Sequence, residues 1–225
     1  MKSSKKVLVL FSGGLDSTYL VYKNLKEGNQ VIPIYTEIMN NTKKVYAEKT
    51  QIDRIYNLLY EEFSGYLHPI YFPNRFEITG SGGNVSVLPQ VPAWIFGIIY
   101  SGQLQNVDEV QIGYVMNDDA ISYLDDIKAI YHSYQNMVPI KLPELVFPLT
   151  KTKKYEIDEK LPEKYRELTI SCEYPTIAYN QGIKFYDCGD CEPCKRSIRL
   201  RLSPRHMKYM SPPTVESSET ANVSG

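Results

Sequence analysis

The chain has 225 residues, of which 43% are hydrophobic and 23% are charged. This composition is typical of a soluble globular protein, and no apolar run approaches the roughly 20 residues of a membrane-spanning helix. Since 25 basic residues face 26 acidic ones, the chain lacks the basic excess of a nonspecific nucleic-acid binder. We therefore expect one large domain with a small appendage, in which a local site holds any anionic ligand.

The amino-terminal segment favours a cytoplasmic protein with no membrane anchor. Its first apolar run covers only residues 7–11 before Ser12-Gly13-Gly14 interrupts it, which is too short for the core of a signal peptide. In the reducing cytoplasm, the 4 cysteines are expected to be metal ligands or catalytic thiols rather than a disulfide framework.

Strand and helix patterns alternate through the first half of the chain. The uninterrupted apolar run at 7–11 is typical of a strand that is buried on both faces of a parallel sheet. The stretch 73–89 is rich in Gly, Asn and Ser, and we predict a loop there. Between residues 11 and 73, the apolar periodicity predicts a helix over 18–27, a strand over 31–35, a helix over 43–62 and a strand over 67–72.

The alternation continues in the second half and defines the fold class. The predicted elements are a helix over 92–104, a strand over 109–114, a mostly helical stretch over 118–136, a strand over 146–149 and a helix over 153–160. This order predicts an α/β fold with a doubly wound, mostly parallel sheet, which binds ligands beyond the carboxyl ends of its strands. We expect this domain at 1–167, a four-cysteine region at 168–210 and a disordered tail at 211–225.

A glycine-containing turn between the first strand and the first helix predicts an anion-binding loop. Glycine lets the backbone approach a phosphate, and a following helix presents its first N–H groups to the ligand. The loop lacks the Lys of the GxxxxGK[ST] motif, and an Asp beside a polyphosphate requires a cation such as Mg²⁺ between them. An ordinary tight turn is the alternative. The residues predicted to bind the phosphates are Ser12, Gly13, Gly14, Leu15, Asp16, Ser17 and Thr18.

The cysteines all fall in one window with the spacing C-x15-C-x2-C-x2-C. Two-residue gaps let successive thiolates turn onto one ion, and the upstream thiolate completes a tetrahedral shell, which favours structural zinc. An iron–sulfur cluster and four unrelated buried thiols are the alternatives. The predicted metal ligands are Cys172, Cys188, Cys191 and Cys194.

Several motifs resemble those of a known family. The run SGGLDS at 12–17 resembles the PP-loop, SGGxDS, of the ATP pyrophosphatase superfamily. Together with the four cysteines it resembles the QueC family of 7-cyano-7-deazaguanine synthases, and the similarity extends from Val7 to about Arg199. Further matches are Ile112-Gly113, Asp119, Tyr123 and Asp125 to the family's IG…DxxxYxD pattern, Pro148-Leu149 and Lys153 to PL-x-x-x-K, and SCEY at 171–174 to SCY, with Glu173 inserted.

The resemblance implies an adenine nucleotide alpha hydrolase-like fold that uses ATP and Mg²⁺ and carries one structural Zn²⁺. The implied reaction adenylylates 7-carboxy-7-deazaguanine, releases pyrophosphate and transfers the acyl group to an amine. Asp16 would hold the magnesium, and Lys151 or Lys153 would contact the phosphates. For these lysines and for the acids named next, exposed surface is the alternative. The residues implied to bind the substrate are Asp119, Tyr123 and Asp125. The two acids among them are alternatively ligands of Mg²⁺.

One departure concerns the segment where the family reads VPGRN. This chain has VPAWI at 91–95, so apolar side chains replace the Arg and the Asn. Because Arg offers a planar fork of donors that Trp lacks, the acceptor side of the reaction is expected to differ. The QueC-like proteins of antiphage systems are implied to pass the activated deazaguanine to a protein amine, and we favour that branch over ammonia and nitrile formation.

Other functions stay open from the sequence. A tRNA-modifying PP-loop enzyme usually needs an added RNA-binding domain, for which this chain has no room. A noncatalytic nucleotide-binding subunit of a defence complex is a further alternative, and a homodimer is not decided. The basic run at 195–205 is interpreted as a helix beside the zinc site, and we expect no nucleic-acid partner.

Overall fold

The structure is a computed structural model that describes residues 4–39, 41–73, 75–76, 90–179, 182–200 and 202. Among these residues, 3₁₀ turns at Asp119–Tyr123 and Tyr134–Asn136 flank the helix Leu124–Ser133. The strands are β1 (Lys6–Leu10), β2 (Gln30–Ile34), β3 (Glu37–Ile38), β4 (Arg75–Phe76), β5 (Glu109–Gln111), β6 (Glu144–Val146), β7 (Thr176–Ala178) and β8 (Lys184–Tyr186). The helices are α1 (Leu15–Lys26), α2 (Thr42–Phe63), α3 (Gln90–Ile99), α4 (Leu124–Ser133), α5 (Lys154–Lys160), α6 (Glu163–Arg166) and α7 (Glu192–Arg199).

The central sheet consists of parallel strands in the order β2-β1-β5-β6. The chain leaves β1 in one direction toward β2 and later returns to add β5 and β6 on the other side. The loops after β1 and β5 therefore diverge, and this topological switch point forms a crevice at the carboxyl ends of the strands. The α/β class with a parallel sheet, predicted from the alternating pattern, is confirmed.

Helices cover both faces of the sheet. Along β1, Val7 and Val9 belong to one buried cluster together with Ile52 of α2. Leu8 belongs to the cluster on the opposite face together with Ile95 of α3. All five side chains are completely buried. The uninterrupted apolar run at the start of the chain is explained by this arrangement, because alternate residues of β1 meet different helical layers.

One edge of the sheet differs from the prediction. The segment 67–72, predicted as a full strand, makes only isolated parallel bridges to β2, at Leu67 and Tyr71. A short parallel pair, β3 with β4, lies partly within the stretch predicted as a loop. The rest of that stretch, at 74 and 77–89, lies outside the described residues.

Element boundaries shift where turns intervene. The helix predicted over 18–27 begins at Leu15, because Gly14 already has the extended conformation of an N-cap. The helix predicted over 92–104 ends at Ile99, and Gly102 follows with a φ of +72°. The strand predicted over 146–149 is found at Glu144–Val146, since the chain turns afterwards and the N–H of Thr152 donates to the carbonyl of Leu149 at 2.8 Å.

The cysteine-containing region packs directly on the α/β part. β7 and β8 form an antiparallel hairpin, and α7 follows. Cys172 and Cys194 share a buried cluster with Phe185 of β8 and Ala47 of α2. The domain boundary at 167/168 stays a prediction, and the predicted tail at 211–225 lies outside the described residues. None of the described helices is both long and apolar enough to cross a bilayer.

Candidate functional site

The loop between β1 and α1 leaves the amino terminus of a helix open. Gly14 is the N-cap of α1, and no side chain caps the first turn. The hydroxyl of Ser17 accepts from the N–H of Ser12 and donates to the carbonyl of Gly14, both at 3.2 Å, so it braces the loop from inside. The N–H groups at the start of α1 and the positive end of its dipole are therefore available to an anion.

Two glycines allow close packing around this loop. Gly13 has a φ of +73°, and a Cβ there would lie 3.0 Å from Cγ1 of Ile52 in α2. Gly113 follows β5, and a Cβ there would lie 3.3 Å from the carbonyl carbon and oxygen of Asp16. A larger residue at Gly113 would push the end of β5 away from the first turn of α1. The Ile112-Gly113 motif thus positions the predicted phosphate-binding loop at 12–18, called the phosphate loop below.

A cleft of about 610 Å³ lies at the carboxyl ends of β1, β2 and β5. The phosphate loop, α2, α3 and the segment 170–173 contribute its walls, and α7 adds Pro193 and Arg196. The volume is in the range of ligand-binding pockets. Of the predicted phosphate-binding residues, Ser12, Gly14, Asp16 and Ser17 line this cleft.

Asp16 and Lys154 form an ion pair in the cleft. Oδ2 of Asp16 accepts a hydrogen bond of 2.7 Å from Nζ of Lys154, and the two side chains are only 18% and 13% exposed. Oδ1 of Asp16 is buried and has no hydrogen-bond partner in the part of the chain that the structure describes. An orphaned carboxylate oxygen in such a cleft fits a hard cation such as Mg²⁺.

The lysine that the structure places in the cleft differs from the two predicted ones. Lys151 and Lys153 are exposed and do not line the cleft. Lys154 does so because α5 begins at this residue and packs on α1, the helix that carries Asp16. Three lysines within residues 151–154 look alike in the sequence until the register of α5 is known.

Arg196 of α7 connects the cysteine region with the segment after β5. Its guanidinium donates to Asp118 at 2.8 Å and to Asp119 at 3.3 Å. Burial and the negative charge of Asp16 raise the pKa of Asp118, although the cations Lys154 and Arg196 oppose that shift. The basic run of the sequence therefore supplies a contact within the protein, as expected for a docking helix.

The predicted substrate-binding residues are not brought together. Asp119 borders the cleft, but its side chain is 87% exposed and is engaged by Arg196. Tyr123 and Asp125 are exposed and do not line the cleft. Asp118, next to Asp119 in the sequence, lies further inside, with a side chain that is only 17% exposed.

A second polar group of the cleft lies just after β2 and on α2, and it was not predicted. The hydroxyl of Tyr35 donates to Oε2 of Glu48 at 2.7 Å. Lys44, one turn earlier on α2, donates to both oxygens of Glu173 at 2.8 and 2.7 Å. Burial raises the pKa of Glu48, and the charge of Lys44 and the bond from Tyr35 only partly compensate. Glu173, the residue inserted in the SCY motif, thus ties the cysteine region to α2.

The segment VPAWI forms the first turns of α3. Val91 and Trp94 line the cleft. Trp94 is partly buried and packs against the cluster that includes Ile95. The wall at which the family's Arg would stand is therefore apolar and aromatic in this protein.

The four cysteines converge as predicted for a metal site. Their Sγ atoms all lie within 4.8 Å of one another, against S–S separations of roughly 3.8 Å in a tetrahedral zinc–thiolate centre. The N–H of Cys188 donates to the sulfur of Cys172 at 3.2 Å, and that of Cys191 to the sulfur of Cys188 at 3.3 Å. The Cys194 thiol and the N–H of Cys188 lower the pKa of Cys172 to about 6 against the effect of burial. Four thiolates fill a closed shell, which is compatible with a structural ion.

A curated relative is similar along most of the chain. The protein is 29% identical over 216 residues to 7-cyano-7-deazaguanine synthase 2 of Rhodopseudomonas palustris (strain HaA2), and the alignment covers 85% of this chain and 94% of that protein. The resemblance to the QueC family, inferred from short motifs, is thereby confirmed over most of the chain. No protein-family model matches the chain.

Two solved structures show a distant similarity to part of the chain. A 4-thiouridine synthetase, determined in complex with RNA and bound ATP, is 19% identical with a TM-score of 0.47, over 74% of this chain and 42% of that one. PH1313 from Pyrococcus horikoshii Ot3 is 18% identical with a TM-score of 0.35, over 68% of this chain and 39% of that one. The chain spans less than half of either protein, and both likenesses are too distant to indicate a shared activity.

Proposed function

We propose that the protein is an ATP-dependent ligase that adenylylates the carboxylate of 7-carboxy-7-deazaguanine, releases pyrophosphate and transfers the acyl group to an amine. The observation that carries this proposal is the open amino terminus of α1, which shares one cleft with the Asp16–Lys154 pair. The similarity to a 7-cyano-7-deazaguanine synthase over most of the chain supports a deazaguanine substrate.

The first step requires stabilisation of charge around the α-phosphorus of ATP. A carboxylate oxygen of the substrate attacks the α-phosphorus. The bond between the α-phosphorus and the oxygen that bridges it to the β-phosphorus breaks, and pyrophosphate leaves. The N–H groups of α1 and the hydroxyl of Ser12 hold the pyrophosphate, Ser17 braces the loop that presents them, and the ammonium of Lys154 offsets the developing negative charge. An amine then attacks the acyl carbon, and AMP leaves with the carboxylate oxygen that it acquired.

Two kinds of metal ion fit the side chains that are present. Asp16 would hold Mg²⁺ through its unpartnered oxygen, and the ion would neutralise phosphate charge when bound. Cys172, Cys188, Cys191 and Cys194 would hold Zn²⁺ in a structural role. Neither assignment requires the cysteines to take part in the chemistry.

The acceptor that we propose is a protein amine, and the site of action is the cytoplasm. Trp94 and Val91 make one wall of the cleft apolar where the family has a donor fork, which favours an acceptor delivered by a partner protein over ammonia. The name of the curated relative supports ammonia and nitrile formation as the second candidate.

A product assay tests the proposal. The purified protein is incubated with ATP, Mg²⁺ and 7-carboxy-7-deazaguanine, with and without ammonia, and AMP and the product mass are followed. We expect AMP and pyrophosphate to form only when the acid is present. Asp16→Asn should lower AMP formation by about 100-fold or more, because it removes the charge that binds the cation. The melting temperature and the zinc content of the variant should equal those of wild type.

The products separate the alternatives. A nitrile identifies the biosynthetic reaction, whereas a stalled adenylate, or an amide formed with an added protein, identifies conjugation. No AMP under any condition would leave a noncatalytic nucleotide-binding subunit. ADP in place of AMP would contradict attack at the α-phosphorus, and undiminished turnover of Asp16→Asn would remove this residue from the mechanism.

A further inference from the structure

One part of the cleft has polar groups with no role in the phosphate chemistry. Tyr35 and Thr36 follow β2, Glu48 lies on α2, and Trp94 lies on α3. All four line the same cleft as the phosphate loop. A few polar atoms beside an aromatic ring are typical of a site for a flat heterocycle.

Glu48 is a carboxylate that is short of hydrogen-bond donors. Tyr35 donates to Oε2, but no described residue donates to Oε1. Lys44 is near enough to affect the charge of Glu48, yet its ammonium bonds Glu173. Burial raises the pKa of Glu48, as expected for a carboxylate whose solvation has been removed and only partly replaced. A ligand with N–H groups would supply the missing donors.

Thr36 is a second unsatisfied group in this part of the cleft. Its side chain is 3% exposed, and Oγ1 has no hydrogen-bond partner in the described part of the chain. A buried hydroxyl without a partner is costly, and native structures keep such groups mainly where a ligand or an ordered water completes them. The hydroxyl can donate to a ligand or accept from it.

We infer that Glu48 recognises the 2-aminopyrimidinone edge of the deazaguanine, with the ring N–H and the exocyclic amino group both donating to its carboxylate, and that Trp94 contacts the ring. This inference rests on the proposed function and names the part of the cleft that selects its substrate. Tyr35 positions Glu48, whereas Oγ1 of Thr36 faces α3, where a Cβ on Gly97 would lie 2.6 Å from it. The role that the sequence assigned to Asp119 and Asp125 falls to a different acid.

The alternative occupant of this part of the cleft is the adenine of ATP. The pairing edge of adenine presents one donor next to one acceptor, so an ionised carboxylate would face a ring nitrogen lone pair. The pairing edge of a guanine-like base presents two adjacent donors, which match the two oxygens of a carboxylate. An ionised Glu48 therefore favours the guanine-like ring.

A fluorescence titration tests this assignment. The chain contains a single tryptophan, Trp94, which lines the cleft, so its fluorescence emission reports ligand binding directly. Wild type, Glu48→Gln, Tyr35→Phe and Glu61→Gln are titrated separately with 7-carboxy-7-deazaguanine and with ATP. Glu61 is the matched control, because it is an exposed acid on the same helix and lies outside the cleft lining.

We expect Glu48→Gln to weaken binding of the deazaguanine by about 10-fold or more. The amide is uncharged and has one acceptor oxygen, whereas the carboxylate has two. Its affinity for ATP should stay within about two-fold of wild type, and Glu61→Gln should change neither. Tyr35→Phe should weaken the deazaguanine less than Glu48→Gln does, because only a positioning bond is lost.

The outcomes distinguish the two levels of the argument. If wild type binds ATP but shows no binding of the deazaguanine, the proposed function fails, and this inference fails with it. If wild type binds both ligands and Glu48→Gln binds the deazaguanine as tightly, only the assignment of Glu48 fails. A selective loss of ATP affinity in Glu48→Gln would assign this part of the cleft to adenine and overturn the inference.

Discussion

Unsatisfied polar atoms are concentrated around the candidate ligand-binding cleft. Among the described residues, buried side-chain oxygens without a partner occur on Asp16, Thr18, Thr36 and Tyr114, and three of these four residues line the cleft. Each such atom costs about 1–3 kcal/mol, so the fold without ligand carries an unfavourable contribution here. A ligand that supplies the missing partners recovers that free energy as binding free energy.

The Asp16–Lys154 pair leads to a comparison of three lysines. Lys154→Met should lower the rate of AMP formation by about 100-fold or more, because it removes a cation beside the reacting phosphates. Lys151→Met and Lys153→Met should stay within about two-fold of wild type, since both side chains are exposed outside the cleft. Steady-state assays on the three variants measure this, and equal losses in all three would contradict the placement of Lys154.

The raised pKa of Glu48 predicts how stability depends on pH. Since the folded state binds the proton of this acid more tightly than the unfolded state does, wild type loses stability as pH rises from the usual value of 4.5 through the raised pKa. Glu48→Gln has no such loss. The variant should therefore have the higher free energy of unfolding at pH 7, and the difference should vanish below about pH 4.5.

Urea unfolding of both proteins between pH 4 and 8 would measure this dependence. A variant that is less stable than wild type at pH 7 would show that Lys44 and Tyr35 compensate the buried charge fully. In that case the carboxylate would have no need of further donors.

Among the secondary-structure elements, α3 packs closely on the segment that follows β2. A Cβ on Gly97 of α3 would lie 2.6 Å from Oγ1 and 3.0 Å from Cγ2 of Thr36. Because both branches of this threonine lie close, turning its side chain does not relieve the clash. Gly97 thus sets how near the helix that carries Trp94 lies to Thr36, in the segment between β2 and β3.

Gly97→Ala should lower the free energy of unfolding by about 1–3 kcal/mol, although Ala is ordinarily the better helix former. Gly65→Ala is the control, because a Cβ at that position meets nothing within 4 Å and should change stability by less than about 0.5 kcal/mol. Denaturant unfolding of the two variants checks this. An equal effect of both substitutions would show that α3 moves freely away from β2.

In the molecule as a whole, the cysteine region completes one side of the cleft. Arg196 binds Asp118 and Asp119, Glu173 binds Lys44, and the N–H of Ile170 donates to the carbonyl of Gly13 at 3.1 Å. A metal ion that holds the four cysteines would therefore stabilise the phosphate loop and the walls of the cleft, at a distance from the chemistry.

Loss of the metal is predicted to affect both stability and activity. Cys191→Ser should lose the ion, lower the free energy of unfolding by roughly 3 kcal/mol or more, and reduce AMP formation because Arg196 is no longer held on Asp118. Lys195→Ala, next to the ligand Cys194 but exposed, should keep its metal. Metal content by atomic absorption and a thermal melt measure both effects. A Cys191→Ser protein with unchanged metal content and melting temperature would contradict the structural role.

Local patterns in the sequence were sufficient for the fold class and for the two motifs with strict spacing. The apolar run of β1 and the alternation of periods predicted the parallel sheet, because each element must bury one or both faces. SGGLDS and the cysteine spacing were recognisable because their residues meet through short stretches of chain, and the tertiary structure brings the four sulfurs together. The edge at 67–72 was overestimated, since pairing at an edge depends on neighbouring strands.

The sequence by itself determined the fold class and predicted the anion-binding loop and the convergence of the four cysteines, because each is indicated by a pattern among residues that are near in the chain. Only the tertiary structure decided which lysine meets Asp16, that Asp118 and not Asp125 lies in the cleft, and that Glu48 joins Tyr35 and Trp94 there. These choices depend on the register of α5, α2 and α3 against the sheet. That register is set by packing across the whole core, and no local pattern encodes it.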